Sequence, residues 1–570
     1  MKPLTTSVYT FCDLIAGGYL YVDKTPGIYE LVRGYKGQYF LARPRRFGKS
    51  LLISTLKAIF QGRRELFDGL FLATADYDWK PYPVIHLDMG SSAAQTPEEL
   101  ESNLMRRIKR SAEDNKCSVA STFAYQAFEE LILELSERGG KVVILVDEYD
   151  KPLLGHLGLP TVTAIQTVLK QFYGVIKATE SHQRFALITG VSKFTKVSIF
   201  SDLNNLTDLT MDPRTATLLG YTQDELEANF PDYIERLAGA ISRTKAETLS
   251  ELRTWYNGYR FEENAQTVYN PVSVMKCFDT QKFMNYWFET GTPTFLVDLL
   301  RKKPIDLTGL EADESDFGTY DPDKLAALPL LVQTGYLTIK GADGPLGALV
   351  YKLGYPNREI EISFNRCLAQ GFANLPPEDI TSALRRLTAA LREGRVEDML
   401  DTLKIFFAKV PNTITIDNEK YYQTIFFTVF TLIGAMIETE VSTNIGRVDA
   451  VVKTASDIFI FEFKLNGTAD AAMAQIRQKR YFEPYLDDGR RITLIGVAFA
   501  KETRNLGEHR IEPLDVAKDT ARIREPGEAY ATAPETGSVE HERQEIARRM
   551  RAKGISPAII AEVTGLRAGF

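Results

Sequence analysis

The residues with the clearest capacity for chemistry are three consecutive ones, Gly48-Lys49-Ser50, which end a basic turn between an apolar stretch and an amphipathic one. In a phosphate-binding loop of this kind, backbone N–H groups and the N-terminus of the following helix face the phosphates, the lysine reaches the outer phosphates, and the Ser or Thr hydroxyl ligates Mg²⁺. The usual pattern, Gly-x-x-x-x-Gly-Lys-Ser/Thr, begins with a glycine, whereas this sequence has Arg43 there. The match is partial, so a nucleotide site is predicted only if a second anchor is found.

Asp147 and Glu148 supply that second anchor, because they end the apolar run Val142–Val146 downstream of the loop. The carboxyl ends of parallel strands converge on a ligand crevice, so the acid pair is expected beside the phosphates. Asp147 would hold Mg²⁺ through water, and Glu148 would polarise the water that attacks the γ-phosphate. Taken alone, such a pair could merely solvate the end of a strand. Together with a phosphate-binding loop that precedes it in the chain, the pair favours nucleotide chemistry.

Two polar residues near the end of the next predicted strand, Thr189 and Ser192, are candidates for sensing the γ-phosphate. For each of them, a local hydrogen bond within a turn is at least as good an interpretation. We keep Thr189 among the predicted nucleotide-binding residues.

Three arginines in the basic turn, Arg43, Arg45 and Arg46, could compensate phosphate charge through bidentate contacts. Alternatively, one or two of them are solvated or paired with Asp150 or Asp202. We expect only one of the three to touch nucleotide, and we keep Arg45 and Arg46 as the candidates.

A parallel sheet with helices would position these residues, and the pattern around them predicts one. The continuous, mostly β-branched run Val142–Val146 is typical of a strand buried on both faces. Helices are predicted over Phe123–Arg138, which two glycines follow, and over Thr163–Thr179, which the strand Phe185–Thr189 follows. The alternation predicts an α/β fold, with a P-loop NTPase parallel sheet at the N-terminus. The chain then turns more helical, with a capping box at Thr222–Glu225.

A second group of residues with chemical capacity lies in a predicted β-hairpin, Asn444–Val452 followed by Ile458–Leu465. Strand alternation places Glu462 and Lys464 on the same face. Neither charge is expected in so apolar a strand unless it is paired or functional. Asp449 on the partner strand would complete a carboxylate pair, and two carboxylates that hold Mg²⁺ or Mn²⁺ beside a lysine are what phosphodiester hydrolysis requires. The alternative is a structural ion pair on a sheet edge.

Residues around the hairpin add candidates with weaker support. Gln475, Lys479 and Tyr481 on the following predicted helix could contact a DNA backbone, although each is equally an ordinary surface residue. Glu419, at the start of a predicted helix, could add another acid to the site, or simply be a favourable charge at a helix N-terminus.

The length and amino-acid composition indicate which class of protein this sequence encodes. The chain has 570 residues, 44% hydrophobic and 25% charged, which predicts a soluble protein of several domains. With no apolar run near the ~20 residues of a membrane helix and no signal-like N-terminus, we expect a cytoplasmic protein without a membrane segment. Four dispersed cysteines and five scattered histidines support neither disulfides nor a zinc cluster. A net charge of −7 argues against a globally basic nucleic-acid binder, although local patches can still bind phosphate.

Several of these motifs together resemble the bacterial AAA-ATPase-like family, in which Arg43 in place of the leading glycine is typical. The segments that carry this resemblance are Tyr21–Thr25, Arg43–Ser50, Asp147–Asp150, Thr189–Phe194 and Trp255–Tyr259. A further set resembles the PD-(D/E)XK nuclease-superfamily domain that this family commonly carries at its C-terminus: Gly446–Asp449, Phe461–Lys464 and Gln475-Ile476. The resemblance spans most of residues 10–500 and implies an ATP-binding domain fused to a nuclease-like domain.

We predict five parts: an AAA-ATPase-like P-loop domain at 1–215, a mainly helical, winged-helix-like middle region at 216–370, an α/β PD-(D/E)XK-like domain at 371–515, a linker at 516–541 and a tail at 542–570. The tail resembles a small helix-turn-helix. It could bind DNA, or dock a protein partner or a second copy of the chain.

The leading hypothesis is an ATP-binding protein, expected from its motifs to be an ATPase, whose nucleotide state regulates a metal-dependent nuclease-like domain acting on DNA. ATP and Mg²⁺ are the expected cofactors, with Mn²⁺ as an alternative at the nuclease-like site. One rival is a nucleotide-dependent switch whose C-terminal module binds nucleic acid or protein without cleaving it. A second is an ATPase that performs mechanical work on a partner.

Overall fold

The fold is described from a computed structural model. The structure describes residues 1–90, 94–157, 159–193, 205–287, 294–302, 310–313, 327–345, 348–373, 376–408, 428–432, 441–444, 448–464, 467–500 and 505–515. Asp202, Glu419, the linker and the tail lie outside the described residues, so the predictions made for them stay predictions.

A five-stranded, fully parallel sheet carries the phosphate-binding loop. Its strands are β1 (Gly37–Ala42), β2 (Val84–Asp88), β3 (Val142–Asp147), β4 (Gln183–Gly190) and β5 (Thr207–Asp208). The strand order is β2-β3-β4-β1-β5, so β4 lies between the strand before the loop and the strand that ends at Asp147. Every residue of β3 and β4 is buried, as a continuous apolar run predicts.

Helices alternate with these strands. They are α1 (Phe11–Ala16), α2 (Thr25–Val32), α3 (Lys49–Phe60), α4 (Phe71–Thr74), α5 (Pro97–Asp114), α6 (Ala124–Gly139), α7 (Lys151–Leu154) and α8 (Val162–Ala178). Helix α6 ends where the glycine pair predicts, because Gly140 adopts a φ of 80° that stops the helix. The apolar faces of α3, α5, α6 and α8 contribute to the same core as the sheet.

The middle part is mainly helical and contains a small antiparallel sheet of strand order β6-β8-β7. Its elements are α9 (Gln223–Asn229), α10 (Pro231–Ala240), α11 (Lys245–Tyr256), α12 (Pro271–Thr280), α13 (Thr294–Lys302), β6 (Glu311–Asp313), α14 (Ala327–Gln333), β7 (Thr338–Asp343), β8 (Val350–Gly354) and α15 (Arg358–Ala373). The capping box predicted at Thr222 and Glu225 is present and begins α9. Helices α9 to α12 pack around an aromatic-rich core of their own.

Two further helices, α16 (Pro377–Arg392) and α17 (Val396–Ala408), lead into a mixed five-stranded sheet. Its elements are β9 (Val441–Asn444), β10 (Val448–Lys453), β11 (Asp457–Lys464), α18 (Ala469–Gln478), β12 (Arg491–Ala500) and β13 (Asn505–Pro513). The strand order is β13-β12-β11-β10-β9. The predicted hairpin is confirmed, since β10 and β11 pair antiparallel, while β11 and β12 pair parallel. Strand β11 lies between β10 and β12, and at Glu462 and Lys464 it pairs with Gly496 and Ala498 of β12.

The two faces of β11 pack as strand alternation predicts. Ile458 and Ile460 pack with α18, whereas Phe459 and Phe461 join the core on the opposite face. The α/β fold class with its N-terminal parallel sheet, helical middle and C-terminal mixed sheet is confirmed. The boundaries of the five predicted parts stay predictions. Within the described ranges, no helix is both long enough and apolar enough to span a membrane.

Candidate nucleotide site and nuclease-like site

Lys49 is the first residue of α3, and the local geometry turns its side chain back onto its own loop. Gly48 precedes it with a φ of 93°, a left-handed conformation that glycine adopts without steric cost. The ammonium of Lys49 donates to the carbonyl oxygens of Arg43 and Pro44, each at 2.9 Å. Burial lowers the pKa of Lys49, and nearby carboxylates, Asp147 first, oppose that shift. The lysine is thus held where incoming phosphate oxygens could replace the two carbonyl groups.

Asp147 and Thr189 join the ends of β3 and β4. The Thr189 hydroxyl donates to Asp147 Oδ1 at 2.7 Å, and the N–H of Glu148 donates to the same oxygen at 3.0 Å. Both Asp147 and Thr189 are buried. The Thr189 hydroxyl therefore orients the carboxylate that the sequence predicts as a Mg²⁺ ligand.

Glu148 follows Asp147 in a left-handed conformation, with a φ of 53°. A Cβ atom placed at Gly90 would lie 3.0 Å from Glu148 Oε2, so the carboxylate rests against a position where glycine leaves room for it. Burial raises the pKa of Glu148, the charge of Asp147 raises it further, and Lys49 opposes both. A partly buried carboxylate of raised pKa is suited to accepting a proton from an attacking water.

Ser192, the other candidate for sensing phosphate, is bonded elsewhere. Its hydroxyl donates to Asp150 Oδ2 at 2.6 Å, and both groups are buried. This bond joins residues 42 positions apart in the chain, so it differs from the local bond within a turn that the sequence suggested, and the role of Ser192 in sensing phosphate stays a prediction.

Arg43 is buried in the fold, where it bonds to backbone carbonyl groups, and it does not line the cavity over the loop. It is 1% exposed, and its guanidinium donates to the carbonyl oxygens of Thr210 at 2.7 Å and Thr215 at 3.0 Å. The guanidinium carbon also lies 4.2 Å from the centroid of the Phe261 ring. This buried structural role explains how an arginine can occupy the position where the general loop pattern has glycine.

The other two arginines of the turn differ in their contacts. Arg45 is exposed and borders the cavity described below. Arg46 adopts a φ of 67° and donates from its guanidinium to the carbonyl of Tyr286 in the middle part. Asp150, offered from the sequence as a partner for these arginines, instead accepts hydrogen bonds from the turn after β4.

A cavity of about 370 Å³ opens over the phosphate-binding loop. Its lining includes the loop residues 45–50, Glu148, and apolar or aromatic side chains from three other segments: Val8, Tyr9, Leu218, Tyr221 and Met275. A polar loop facing apolar walls suits a ligand with phosphates at one end and an aromatic base at the other. These wall residues were not identified from the sequence, because they come from distant segments and no local pattern marks them.

The donor groups around the loop fit Mg²⁺. The Ser50 hydroxyl, in the first turn of α3, and the Asp147 carboxylate, at the end of β3, are hard oxygen donors. Mg²⁺ is usually bound by one or two carboxylates together with water and substrate phosphates, and dedicated protein cages are rare.

Glu462 and Lys464 form the pair that strand alternation predicts. Lys464 Nζ lies 3.0 Å from Glu462 Oε1, and the side chains are 26% and 4% exposed, respectively. The same ammonium donates to Gln475 Oε1 at 2.5 Å, and Gln475 Nε2 donates to the Tyr481 hydroxyl at 3.2 Å. Gln475 and Tyr481 are thus joined to the candidate site, whereas Lys479 is exposed at the end of α18.

The metal-binding part of this second site is only partly described. Asp449 lies on β10, but its side chain lies outside the described residues, as does Glu419. Among the side chains that are described, no group of three or more His, Cys, Asp or Glu is arranged to hold a metal. Metal binding by Asp449 and Glu462 stays a prediction.

Comparison with known proteins finds family matches at both ends of the chain. Residues 5–200 match a family described as predicted AAA-ATPase, and residues 417–509 match the PD-(D/E)XK nuclease superfamily. A protein of Azotobacter chroococcum mcd 1, described as an uncharacterized protein in the vnfD 5' region, is 35% identical over 531 residues, which are 90% of this chain and 99% of the relative. The chain belongs to the AAA-ATPase-like family. This AAA-ATPase-like protein therefore combines a predicted ATPase domain with a nuclease-superfamily domain, as its motifs indicate.

Two solved structures are more remote from the AAA-ATPase-like chain. The ORC1 protein of Aeropyrum pernix in complex with DNA aligns with a TM-score of 0.24 and 12% identity, over 61% of this chain and 91% of that one. The ORC2 protein of the same organism aligns with a TM-score of 0.25 and 11% identity, over 61% and 90%. At these TM-scores, no conclusion about this protein follows from either alignment.

Proposed function

We propose that this protein hydrolyses ATP with Mg²⁺, and that its nucleotide state regulates a metal-dependent nuclease domain that acts on DNA. The main support for ATP binding and hydrolysis is the cavity that is lined by the loop residues 45–50, by Glu148 and by apolar side chains. The family matches over residues 5–200 and 417–509 support both halves.

In the nucleotide site, the loop would bind and orient the phosphates. Lys49 would exchange its two carbonyl partners for oxygens of the outer phosphates, because a charge-assisted hydrogen bond is stronger than one to a neutral carbonyl. Arg45 is the arginine we assign to nucleotide, since it is exposed beside the cavity while Arg43 and Arg46 have other partners.

The acids at the end of β3 would carry the hydrolytic step. Ser50 and Asp147 would hold the Mg²⁺, which supplies charge neutralisation on the phosphates when bound. Thr189 keeps Asp147 in one orientation through its hydroxyl. Glu148 would orient and polarise the attacking water, and the raised pKa of its carboxyl favours proton uptake.

In the C-terminal domain, Glu462 and Asp449 would hold the divalent metal, and Lys464 would stabilise negative charge at the scissile phosphate. The Lys464 ammonium bonds to both Glu462 and Gln475, and these two contacts fix the position of an otherwise flexible side chain. The substrate class proposed is DNA, because a nuclease-superfamily domain occupies residues 417–509.

A continuous set of contacts supports the regulatory part of the proposal. Arg46 of the loop donates to the carbonyl of Tyr286, and the N–H of that residue donates to Glu359 on α15 at 2.6 Å. Helix α15 packs on α16, α16 packs on α17, and α17 packs on β13 of the C-terminal sheet. At that last contact, Asn505 Nδ2 donates to the carbonyl of Lys404 at 3.0 Å. These packed elements are the route that we propose for the effect of nucleotide on the nuclease-like sheet.

The test measures cleavage of supercoiled plasmid DNA and ATP turnover on the same preparations, with Mg²⁺ or Mn²⁺ added. Cleavage should be lost in Asp449→Ala and Lys464→Ala, whereas Lys49→Ala should lose ATP binding and change only the response of cleavage to ATP. A wild-type chain that cuts no DNA under any of these conditions would sink the nuclease proposal and leave a nucleotide-dependent binding switch. ATP turnover that persists in Glu148→Gln would sink the proposed hydrolytic role.

A further inference from the structure

Glu148 is held in a backbone conformation that its own residue type does not favour. Its φ of 53° lies in the left-handed region, which non-glycine residues rarely occupy unless the surrounding structure enforces it. The N–H of Glu148 donates to Asp147 Oδ1 at 3.0 Å, and its carbonyl accepts from the N–H of Lys151 at 2.9 Å. The chain must therefore be fixed firmly on both sides of Glu148.

On the N-terminal side of Glu148, the chain is fixed by the hydrogen bond between Thr189 and Asp147. On the C-terminal side, Tyr149 and Asp150 bond to the end of β4 and to the turn that follows it. The N–H of Tyr149 donates to the carbonyl of Thr189 at 2.9 Å. The carboxylate of Asp150 then accepts three hydrogen bonds on Oδ2, from the N–H of Val191 at 3.0 Å, the N–H of Ser192 at 2.7 Å and the Ser192 hydroxyl at 2.6 Å.

Asp150 is buried against Gly190, which has no side chain to displace it. It is 1% exposed, and a Cβ atom placed at Gly190 would lie 2.9 Å from Asp150 Oδ1 and 2.5 Å from the ring of Tyr149. Any side chain at residue 190 would therefore push the strand-end turn away from Asp150. The hydroxyl of Tyr149 adds a further link, since it donates to the carbonyl of Ser192 at 2.9 Å.

From this geometry we propose that Asp150 is a positioning residue for Glu148 in ATP hydrolysis. By clamping the turn at residues 191–192, Asp150 fixes the chain just beyond Glu148 and holds the Glu148 carboxylate toward the cavity. Asp150 does not itself border the cavity, whereas Glu148 does, so Asp150 acts through Glu148 and does not touch nucleotide. The inference rests on the ATP hydrolysis proposed above.

The experiment is a double-mutant cycle in the full-length protein, measured by single-turnover ATP hydrolysis and by equilibrium binding of a fluorescent ATP analogue with Mg²⁺. Asp150→Ala removes the acceptor of all three hydrogen bonds and should lower the hydrolysis rate at least about tenfold, with nucleotide affinity changed less than about threefold. Asp150→Asn keeps an acceptor oxygen and should recover most of the rate. In a Glu148→Gln background, Asp150→Ala should lower the residual rate less than about twofold, because the residue it positions is already disabled.

Asp457→Ala is the matched control, since Asp457 is another buried aspartate that anchors a turn, far along the chain in the C-terminal sheet. It should leave ATP turnover unchanged. Equal losses from Asp150→Ala in the wild-type and Glu148→Gln backgrounds, a parallel loss of nucleotide affinity, or a full rate in Asp150→Ala would each overturn the inference while hydrolysis itself stands. A wild-type chain that binds ATP without turning it over would overturn the proposed hydrolysis, and the inference with it.

Discussion

The guanidinium of Arg46 donates a hydrogen bond to the main-chain carbonyl of Tyr286, and this bond ties the phosphate-binding loop to the middle part of the chain. The N–H groups of Tyr286 and Trp287 donate in turn to Glu359 Oε1, at 2.6 and 2.8 Å. Glu359 lies in the first turn of α15 and is buried. Movement of the loop and movement of α15 are therefore linked through Arg46, and also through Trp287, whose Nε1–H donates to the carbonyl of Arg45 at 3.4 Å.

Arg45 and Arg46 should respond differently to removal. Arg45→Ala should weaken ATP binding at least about tenfold, because the charge-assisted contact proposed for it contributes about 1.5–3 kcal/mol. Arg46→Ala should change ATP affinity less than about threefold, but should lower the unfolding temperature, since a charge-assisted bond between two parts of the chain is lost. Isothermal titration with ATP and thermal unfolding of both variants provide the comparison. The reverse pattern would show that Arg46 is the nucleotide contact.

The stability of the chain should depend on pH through Glu359. Burial, ahead of the other causes, raises the pKa of Glu359 from its ordinary value of 4.5 to about 7. As the pH rises, this carboxyl loses its proton at a lower pH in the unfolded chain than in the folded chain. Its favourable contribution to folding is therefore complete below about pH 4.5 and is lost as the pH rises toward about 7. Glu359→Gln keeps the acceptor oxygen without the charge. Relative to wild type it should gain roughly 3 kcal/mol of stability between about pH 4.5 and pH 8.

Thermal unfolding of wild type and Glu359→Gln across that pH range measures the difference. Glu361→Gln is a useful comparison on the same helix, because burial raises the pKa of that carboxyl as well but its side chain is not bonded to the 286–287 segment. If the wild-type and Glu359→Gln unfolding temperatures follow the same pH dependence, Glu359 does not carry the effect.

Thr189→Val should separate nucleotide binding from hydrolysis. The substitution keeps the shape of the side chain but removes the hydroxyl that donates to Asp147 Oδ1 at 2.7 Å. Loss of one partner of a buried hydrogen bond costs about 1–3 kcal/mol. We expect a fall in ATP turnover of about tenfold and a higher Mg²⁺ requirement, with ATP affinity largely kept. Turnover measured against Mg²⁺ concentration tests this, and an unchanged Mg²⁺ curve would count against the assigned role.

The partly buried pair of the nuclease-like site should affect both stability and cleavage. Lys464→Met takes the ammonium away from a Glu462 side chain that is 4% exposed, but Lys464 itself is 26% exposed, so the loss of stability should be smaller than the about 3–5 kcal/mol of a fully buried pair. The double variant Glu462→Gln/Lys464→Met should recover much of that stability and none of the metal-dependent cleavage. Denaturant unfolding and plasmid cleavage on the same samples distinguish the two effects. Cleavage that returns together with stability would mean that the pair is structural.

Several features of this protein follow from the sequence because they depend on residues close together in the chain. The end of helix α6 at the glycine pair 139–140, the wholly buried strand β3, and the capping box at Thr222 were all predicted correctly. Each is set by short-range effects, namely backbone conformation, apolar periodicity and a side chain that bonds its own turn. The placement of Glu462 and Lys464 on one face of β11 followed for the same reason.

Other features were decided only by the tertiary structure. The sequence offered Arg43, Arg45 and Arg46 as candidates for one phosphate contact and could not show which of them has another partner. The long side chains of Arg43 and Arg46 bond to carbonyl oxygens far along the chain, those of Thr210 and Tyr286. Likewise, the sequence could not show that Asp150 clamps the turn at Ser192, or that β12 covers the second edge of β11. The types and order of the chemical groups are local information, whereas the partner of each buried polar group depends on which distant strand ends the fold brings together.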